Sequence, residues 1–199
     1  MAGDRDVAAF GERAASYEDG WLGRLHHQIA DHTADLALAC VPSPRRVLDV
    51  GCGTGYLLRR LAARAPSALE LTGIDAAPEM IEVAEAAATD GRLRFATGTA
   101  ERLPMHEGAF DLVVSTTSFD HWADQQAGLA QCARVMAPGG RLVLVDQFSP
   151  WLWPTLLAGR RGKARTKRRA GRLLNTAGFR ALEWHDLYAV IIKAVTASK

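Results

Sequence analysis

Residues 47–55 of the chain read Val-Leu-Asp-Val-Gly-Cys-Gly-Thr-Gly, and the helix-like pattern Tyr-Leu-Leu-Arg-Arg-Leu follows directly. We call this stretch the glycine motif; its apolar start predicts the end of a buried strand. A strand, a glycine turn and a helix in this order bring backbone N–H groups close to a ligand in an α/β sheet. Glycine has no Cβ, so Gly51, Gly53 and Gly55 leave room for that approach. A tight strand–helix connection without a ligand is the plain alternative.

The spacing of the glycines separates the ligands that such a turn can bind. A dinucleotide fingerprint needs a third glycine at position 56, which is Tyr56, and a P-loop needs Gly-Lys-Ser/Thr, which is absent. Asp49, just ahead of the turn, would repel a pyrophosphate but suits a ligand that carries an ammonium group. The motif resembles the first motif of the class I S-adenosylmethionine (AdoMet) methyltransferases, in which this loop holds the methionine end of the cofactor.

Strand-like and helix-like segments alternate along the rest of the chain, which predicts an α/β fold with helices on both faces of a mostly parallel sheet. The predicted strands span residues 46–50, 70–74, 93–96, 110–115 and 141–146, and the helices between them span 56–65, 78–88 and 125–136. Pro138-Gly139-Gly140 predicts a turn between the last helix and the last strand of this series. A helix over 167–177, capped by Gly178, precedes two strands near 181–185 and 188–196 that are predicted to turn at Asp186.

The resemblance implies a Rossmann-like sheet of seven strands with an antiparallel C-terminal hairpin and an N-terminal helical cap. We assign the cap to residues 1–44 and the methyltransferase domain to residues 45–199, within one structural domain overall. The length of 199 residues suits a single domain. Residues 7–40 have helical periodicity, and Trp21, Leu25, Ile29, Leu36 and Cys40 are predicted to share one face of a helix.

The composition is that of an ordinary globular domain, with 48% hydrophobic and 23% charged residues. The polar N-terminus predicts no signal peptide, and no apolar run reaches the length of about 18 residues that a transmembrane helix needs. We therefore expect a cytoplasmic location. The cysteines, Cys40, Cys52 and Cys132, are odd in number and scattered, so they predict neither a disulfide framework nor a metal site.

The net charge of +2 conceals an uneven distribution of charge. Residues 147–182 hold nine Arg or Lys and no Asp or Glu, which leaves 15 basic and 22 acidic residues, a charge of −7, for the rest. Trp151 and Trp153 precede the basic cluster, which comprises Arg160, Arg161, Lys163, Arg165, Lys167, Arg168, Arg169 and Arg172. Three interpretations stay open: an anionic or amphiphilic ligand or membrane surface, a nucleic-acid backbone, and a solvated helix face beside a tryptophan lid.

Further residues are implied to bind AdoMet because they match the motifs of the family. Asp75, at the end of the second strand, matches the acidic residue that accepts hydrogen bonds from the ribose hydroxyls, and it also suits a helix N-cap. Met80 resembles the apolar residue on the adenine face. Residues 98–104 resemble the adenine-recognition segment, although Thr99 stands where the family usually has Asp. The other implied contacts are those of Asp49, Gly51, Gly53, Gly55, Ala76, Ala100, Glu101 and Ser115.

Methyl transfer from a sulfonium requires aligned reactants, and a general base where the acceptor must lose a proton. His121, in the segment that leaves the fourth strand at the ligand edge of the sheet, is the first candidate for this base, and Asp120 is the second. A polar residue at a helix start is the alternative for His121. Tyr17 resembles the tyrosine that small-molecule members fold over the cofactor, or it is a core aromatic. His26 and His27 are adjacent, so only one of them is expected to face the substrate.

The segment after the fourth strand also narrows the substrate. Nucleic-acid amino methyltransferases carry Asn/Asp-Pro-Pro-aromatic there, and this chain does not; a Pro-Cys nucleophile of the cytosine C5 type is absent too, and Cys52 is expected to pack. We therefore predict an enzyme that moves the methyl group of AdoMet to a small-molecule acceptor, without a metal. Two alternatives stay open: transfer to a lipid or quinone-like amphiphile at a membrane surface, and a regulatory module that binds AdoMet without transfer.

Overall fold

The computed structural model describes residues 2–148, 166–188 and 191–199. The N-terminal part consists of α1 (Ala2–Arg13), a short 3-10 helix (Ala14–Ser16) and α2 (Gly20–Cys40). An alternating series follows, made of β1 (Arg46–Val50), α3 (Tyr56–Arg64), β2 (Glu70–Asp75), α4 (Pro78–Ala86), β3 (Leu93–Thr97) and β4 (Phe110–Thr116). The remaining elements are a second 3-10 helix (Phe119–His121), α5 (Gln125–Val135), β5 (Met136–Gln147), α6 (Lys167–Thr176), β6 (Arg180–Tyr188) and β7 (Ile192–Ser198).

The described strands form one seven-stranded sheet in the order β3-β2-β1-β4-β5-β7-β6. The first five pair in parallel, whereas β7 is antiparallel to both β5 and β6. The order changes direction at β1, which is flanked by β2 and β4. In an open α/β sheet, ligands bind outside the carboxyl ends of the strands at such a switch point. The predicted Rossmann-like sheet with its antiparallel C-terminal hairpin is confirmed.

Apolar side chains cover both faces of the sheet. On one face α2 and α3 bury Ala34 and Leu61 against the strands, and on the other face α5 and α6 bury Leu129 and Leu174. Helix α6 ends as predicted, because Gly178 has a φ of +94° and its N–H donates to the Asn175 carbonyl at 3.1 Å. The helices therefore hold the strand ends rigidly, and the loops that leave those ends take their positions from the sheet.

The apolar face predicted on α2 does not pack on the sheet as a whole. Trp21 is 70% exposed, and the contact with the sheet is made by Ile29 and three small residues, Ala30, Ala34 and Ala37. Small side chains let the helix approach the strands closely, so the larger residues of the predicted stripe flank the contact. Three of them are half-buried: Leu25, Leu36 and Cys40. The boundary at residues 44 and 45 stays a prediction, although α2 packs as part of the common core.

Two predicted turns differ from the structure. Asp186 lies inside β6, paired with Lys193 of β7 and joined to it by an ion pair, so the hairpin does not turn there. The Pro-Gly-Gly run lies inside β5, where pairing with β4 stops after Met136 and resumes at Arg141. The glycines thus form an irregularity in a longer strand rather than its start. None of the helices in the described part of the chain has both the length and the apolar character needed to cross a membrane.

Candidate active site

The glycine motif turns from β1 into α3 at the carboxyl edge of the sheet. Gly51, Gly53 and Gly55 have φ angles of +78°, +52° and +77°. A Cβ on Gly51 would lie 1.9 Å from the Ser118 hydroxyl, and one on Gly55 would lie 2.6 Å from the Phe95 ring. A Cβ on Gly53 would meet no atom within 4 Å. Packing requires glycine at 51 and 55, whereas the backbone of Gly53 borders open space.

Asp75, at the end of β2, joins the glycine motif to the start of α4. Its Oδ2 accepts a hydrogen bond from the Gly53 N–H at 2.8 Å, and its Oδ1 accepts one from the Ala77 N–H at 2.9 Å. Burial raises the pKa of Asp75, although these backbone hydrogen bonds act to lower it. Ala77, not Asp75, occupies the N-cap position of α4, so the capping alternative is wrong as stated. The carboxylate instead holds two backbone segments together beside the cavity.

A cavity of about 200 Å³ lies over these strand ends. Its wall contains most of the residues predicted to bind the cofactor: Gly51, Gly53, Asp75, Ala76, Met80, Thr99, Ala100 and Glu101. Glu101 accepts a hydrogen bond from the Asp124 N–H at 2.9 Å, which joins the segment after β3 to the start of α5. Two predicted contacts lie behind the wall: Gly55 against Phe95, and Ser115 buried within β4.

Asp49 lies at a second, smaller cavity of about 70 Å³ that shares Gly51 and Gly53 with the first. Its side chain is buried, and its Oδ1 has no hydrogen-bond partner among the described residues. Burial, with a smaller contribution from the charge of Asp75, raises the pKa of Asp49 to about 8. A buried carboxylate oxygen without a donor is costly. A cationic donor in the cavity would remove that cost.

The segment that leaves β4 closes the floor of both cavities. Thr116 and Thr117 border both of them, and Thr117 has a φ of +53°, which is uncommon for a residue with a branched Cβ. The Thr117 N–H donates to the Val145 carbonyl at 2.8 Å, which fixes this conformation. Ser118 donates to the Val50 carbonyl at 3.2 Å and accepts from the indole of Trp122 at 2.9 Å. The strained turn therefore holds β4, β1 and the following 3-10 helix in register.

Tyr17 lies at the junction of the two cavities, in the turn between the first 3-10 helix and α2. Its hydroxyl lies 2.6 Å from Nδ1 of His26. Burial and then the charge of Asp75 raise the pKa of Tyr17 to about 12, so it stays protonated at neutral pH. Burial lowers the pKa of His26, which favours the neutral ring that can accept the tyrosine proton. His26 is thus the histidine that contacts Tyr17, but both His26 and His27 border the smaller cavity, so the expectation that only one of them faces the site is wrong.

His121 ends the second 3-10 helix and borders the larger cavity. Its ring meets Phe10 of α1 edge to face, with centroids 4.9 Å apart. The turn that carries it is held by Asp146, whose Oδ2 accepts the Asp120 N–H at 2.9 Å. Burial raises the pKa of Asp146 to about 6, although backbone hydrogen bonds from Gln147 and Asp120 act to lower it. Of the two polar candidates after β4, His121 therefore lines the cavity on a fixed turn, whereas Asp120 is not part of the lining.

A second part of the cavity wall is apolar and aromatic. It is formed by Val7 and Phe10 of α1, by Tyr17, and by Trp122 beside His121. Phe10 contacts Tyr17 with ring centroids 6.3 Å apart. The sequence singled out Tyr17 and His121 but missed the others, since apolar periodicity in α1 does not reveal which element it will contact. Phe10 reaches the site only because α1 packs across α4.

Several other predictions concern features outside this cavity. Cys52 is buried, and burial together with Asp49 and Asp75 raises its thiol pKa well above the usual value, so it packs rather than attacks. Among the described residues, no group of three or more His, Cys, Asp or Glu side chains is placed to hold a metal ion. The basic cluster is described in part, on α6, where Arg168, Arg169 and Arg172 are exposed. Outside the described residues lie Trp151, Trp153, Arg160, Arg161, Lys163 and Arg165.

The sheet is parallel except for one reversed strand, β7. The glycine motif follows β1, and an acidic residue ends β2. Together these features define the fold of a methyltransferase with a nucleoside cofactor. A family model described as a methyltransferase domain matches residues 47–140. Residues 47–140 form a methyltransferase domain with the class I fold, and the cofactor of such domains is AdoMet.

Two curated relatives carry the same name. A demethylmenaquinone methyltransferase of Deinococcus radiodurans is 44% identical over 119 residues, which cover 59% of this chain and 48% of the relative. One of Thermus thermophilus is 42% identical over 148 residues, which cover 71% of this chain and 64% of the relative. The chain therefore spans about half to two thirds of the length of these curated relatives.

Solved structures share the fold at lower identity. A chain of the complex between the Haloferax volcanii Trm112 methyltransferase activator and a methyltransferase has a TM-score of 0.81 at 22% identity, covering 95% of this chain and 96% of that one. The [4+2]-cyclase SpnF has a TM-score of 0.73 at 22% identity, covering 85% of this chain and 80% of that one. The likeness to both extends over most of the chain and concerns the fold alone.

The residues of the site fit the chemistry of AdoMet. The orphaned oxygen of Asp49 matches an ammonium group, and the open space at Gly53 leaves room for a chain that crosses the glycine motif. Asp75 lies at the same edge, where its two oxygens accept hydrogen bonds from the backbone N–H groups of Gly53 and Ala77. A carboxylate of this kind can accept further hydrogen bonds from hydroxyls, because each oxygen has two lone pairs.

Proposed function

We propose that the protein transfers the methyl group of AdoMet to a small, quinone-like amphiphile held between the glycine motif and the N-terminal helices. The observation that carries the proposal is one cavity with two unlike walls. One wall is backbone, Asp75 and Thr99; the other is Phe10, Trp122 and further apolar side chains. The first suits a polar nucleoside cofactor, and the second suits a flat apolar ring.

In this proposal the cofactor side is held by residues with separate tasks. Asp49 binds the ammonium group, Asp75 the ribose hydroxyls, and Met80 and Ala100 the adenine. AdoMet, when bound, supplies an activated methyl group on a sulfonium centre. The protein then has to align the acceptor and exclude water, and such positioning can supply roughly 7–11 kcal/mol of the barrier. Phe10 and Tyr17 perform that exclusion from the helical side.

The proton of the acceptor is the second task. His121 borders the cavity, and a neutral imidazole can take a proton from a ring hydroxyl at neutral pH. Asp146 acts through the backbone of Asp120 to keep the imidazole at the cavity edge. Tyr17, which stays protonated, orders and covers the reactants rather than accepting the proton. The names of the two curated relatives support a quinone-like acceptor, which an aromatic wall would bind by stacking.

The test has two stages. Calorimetry should detect micromolar binding of AdoMet and of its demethylated product, S-adenosylhomocysteine, and no binding of NAD. Transfer is then followed with methyl-labelled AdoMet and a reduced 1,4-naphthoquinone. His121→Gln should lower turnover by about 10²-fold and leave AdoMet affinity unchanged. NAD binding without an AdoMet signal would overturn the proposal.

A module that binds AdoMet without transferring the methyl group is the second candidate. The [4+2]-cyclase SpnF shares this fold, and its name describes a reaction other than methyl transfer. This likeness favours a module that does not transfer the methyl group. The residues of the larger cavity proposed to bind AdoMet, which we call the cofactor wall, serve both candidate functions equally well. Product formation separates them: AdoMet binding with no labelled product from a panel of quinols, phenols and amines would favour the module.

A further inference from the structure

A carboxylate outside the proposed catalytic set joins the N-terminal helices to the glycine motif. Glu18 directly follows Tyr17 in the chain. Its Oε1 accepts hydrogen bonds from the Thr54 hydroxyl at 2.6 Å and from the Arg59 guanidinium at 2.8 Å. Thr54 belongs to the glycine motif and Arg59 to α3. One oxygen therefore connects the turn that carries Tyr17 to the glycine motif at the smaller cavity, which Glu18 and Thr54 both border.

The second oxygen of Glu18 is held from α2. Nε2 of His27 lies 3.1 Å from Oε2, and the imidazole stacks on the Tyr56 ring with centroids 3.8 Å apart. Tyr17 contacts His26 in the same way, one residue earlier in both segments. Two adjacent residues thus contact two adjacent histidines, which fixes the turn against α2 and leaves Glu18 pointing at the motif.

The charges around Glu18 keep it ionised. Burial would raise its pKa, but hydrogen bonds from Thr54 and Arg59 and the charges of Arg59 and His27 outweigh burial, so the pKa lies below its usual value. Arg59 also donates to the Thr54 carbonyl at 2.5 Å. The guanidinium therefore holds the carboxylate and the backbone of the motif at once. Charge-assisted bonds of this kind are the stronger class of hydrogen bond.

We propose that Glu18 is a positioning residue that closes Tyr17 and α1 over the cavity only while the glycine motif has its ligand-binding conformation. A ligand that stabilises the motif then also stabilises the closed turn, and closure raises affinity for that ligand in return. We call the apolar part of the cavity lining, formed by Val7, Phe10, Tyr17 and Trp122, the acceptor wall. Because α1 and the turn at Tyr17 supply three of these residues, the acceptor wall is complete only after the cofactor binds. The inference rests on the proposed function and assigns it an order: cofactor first, acceptor second.

The chain offers a matched control for this role. Asp35 of α2 forms an ion pair with Arg64 of α3, and Asp31 of α2 forms one with Arg60. These pairs also anchor α2 to α3, but their acidic partners do not contact the glycine motif. If Glu18 were only one more anchor between the two helices, its removal would resemble the removal of Asp35.

The experiment measures S-adenosylhomocysteine binding by calorimetry and amide hydrogen exchange of residues 7–18 with and without this ligand. We expect Glu18→Ala to weaken binding about tenfold and to abolish ligand-induced protection of residues 7–18. Asp35→Ala should keep both properties of the parent. Thr54→Val should reproduce the effect of Glu18→Ala, and Thr54→Ser, which retains the hydroxyl, should restore parental affinity.

The outcomes separate the two proposals. Parental binding and parental protection in Glu18→Ala would overturn the positioning role, as would equal losses in Glu18→Ala and Asp35→Ala. If Glu18→Ala does not fold, the Thr54 pair decides, and equal affinities for Val and Ser would overturn the role. A parent protein that binds neither AdoMet nor S-adenosylhomocysteine would instead overturn the proposed function.

Discussion

The two walls of the cavity are built in different ways. The cofactor wall consists of backbone, short side chains and Met80, from the ends of β1, β2 and β3 and from α4, all between residues 50 and 101. The acceptor wall consists of bulky side chains from α1, the turn at Tyr17 and the segment after β4, which are more than 100 residues apart in the chain. The sheet fixes the first wall and helix packing fixes the second. We therefore expect substitutions in the cofactor wall to have larger effects on AdoMet binding.

Gly53→Val should have the largest effect and abolish AdoMet binding. Its Cβ would enter open space that meets no protein atom within 4 Å, the space in which we place the methionine chain. The φ of +52° adds a left-handed strain of about 1–2 kcal/mol to the folded state. Calorimetry measures the binding and thermal unfolding measures the strain.

Gly108→Val is the matched control for this change. Gly108 has a φ of +66° and likewise has no atom within 4 Å of an added Cβ, but it lies in the turn before β4. The strain should be similar, so both variants should lose comparable stability. Only the Gly53 variant should lose the ligand. Equal loss of binding in the two would mean that stability, not the space at Gly53, governs affinity.

Asp75→Ala should weaken AdoMet binding by about 1.5–3 kcal/mol, roughly 10- to 150-fold, if its carboxylate accepts the ribose hydroxyls. The control is Asp111→Ala, because Asp111 also accepts two backbone N–H groups, those of Arg45 and Arg46, at 2.8 and 3.0 Å. It lies at the start of β4, away from the cavity. An Asp75 variant with the parental dissociation constant would leave this carboxylate with the backbone role alone.

Asp49 should make AdoMet binding depend on pH. With a pKa of about 8, its carboxyl is largely protonated at pH 6.5 in the absence of ligand. An ammonium group favours the ionised form, so binding releases a proton and affinity rises by about tenfold between pH 6.5 and 8. Calorimetry in buffers of different ionisation enthalpy measures the released proton.

Without ligand, the titration of Asp49 has the opposite pH dependence: its contribution to the free energy of unfolding decreases as the pH rises. Its folded pKa lies above the unfolded value, so the folded state holds the extra proton, and this contribution falls as pH rises from about 4 to about 8. Asp49→Asn keeps the shape and removes the titration. The variant should lose the proton release on binding, and its stability should fall less over that interval. An unchanged proton count would show that another group titrates.

The comparison of the walls also explains what the sequence could predict. The glycine motif and Asp75 are recognisable because strand, turn and helix are local, and the sheet then brings their ends together. Phe10 and Trp122 could not be assigned, since their place depends on how α1 and the segment after β4 pack across the sheet edge. Asp146 escaped notice because its partner, the N–H of Asp120, is 26 residues away.

The errors have a similar origin. Periodicity placed Trp21 on one apolar face of α2, but two neighbouring stripes satisfy the same period, and the one with small residues packs on the sheet. Asp186 looked like a turn residue, yet β6 runs past it, since Asp186 pairs with Lys193 of β7 and the pairing continues to Tyr188. The local sequence pattern predicted the helix and the strand correctly, but it did not reveal which face of α2 packs on the sheet, and it ended β6 too early.

The smallest expected effect concerns how an amphiphilic acceptor reaches the acceptor wall. Arg168 and Arg169 are exposed on α6, and a cation near an anionic membrane surface contributes about 1 kcal/mol at most. Arg168→Gln with Arg169→Gln should therefore reduce flotation with anionic vesicles by about fivefold, less at high salt because the Debye length is about 8 Å at physiological ionic strength. Affinity for AdoMet should not change, since neither residue borders the cavity.

Arg24→Gln with Arg45→Gln is the control, because these arginines are also exposed and the change in net charge is the same. If both double variants lose vesicle binding equally, only net charge matters; if neither loses it, α6 is a solvated face and the acceptor arrives from solution.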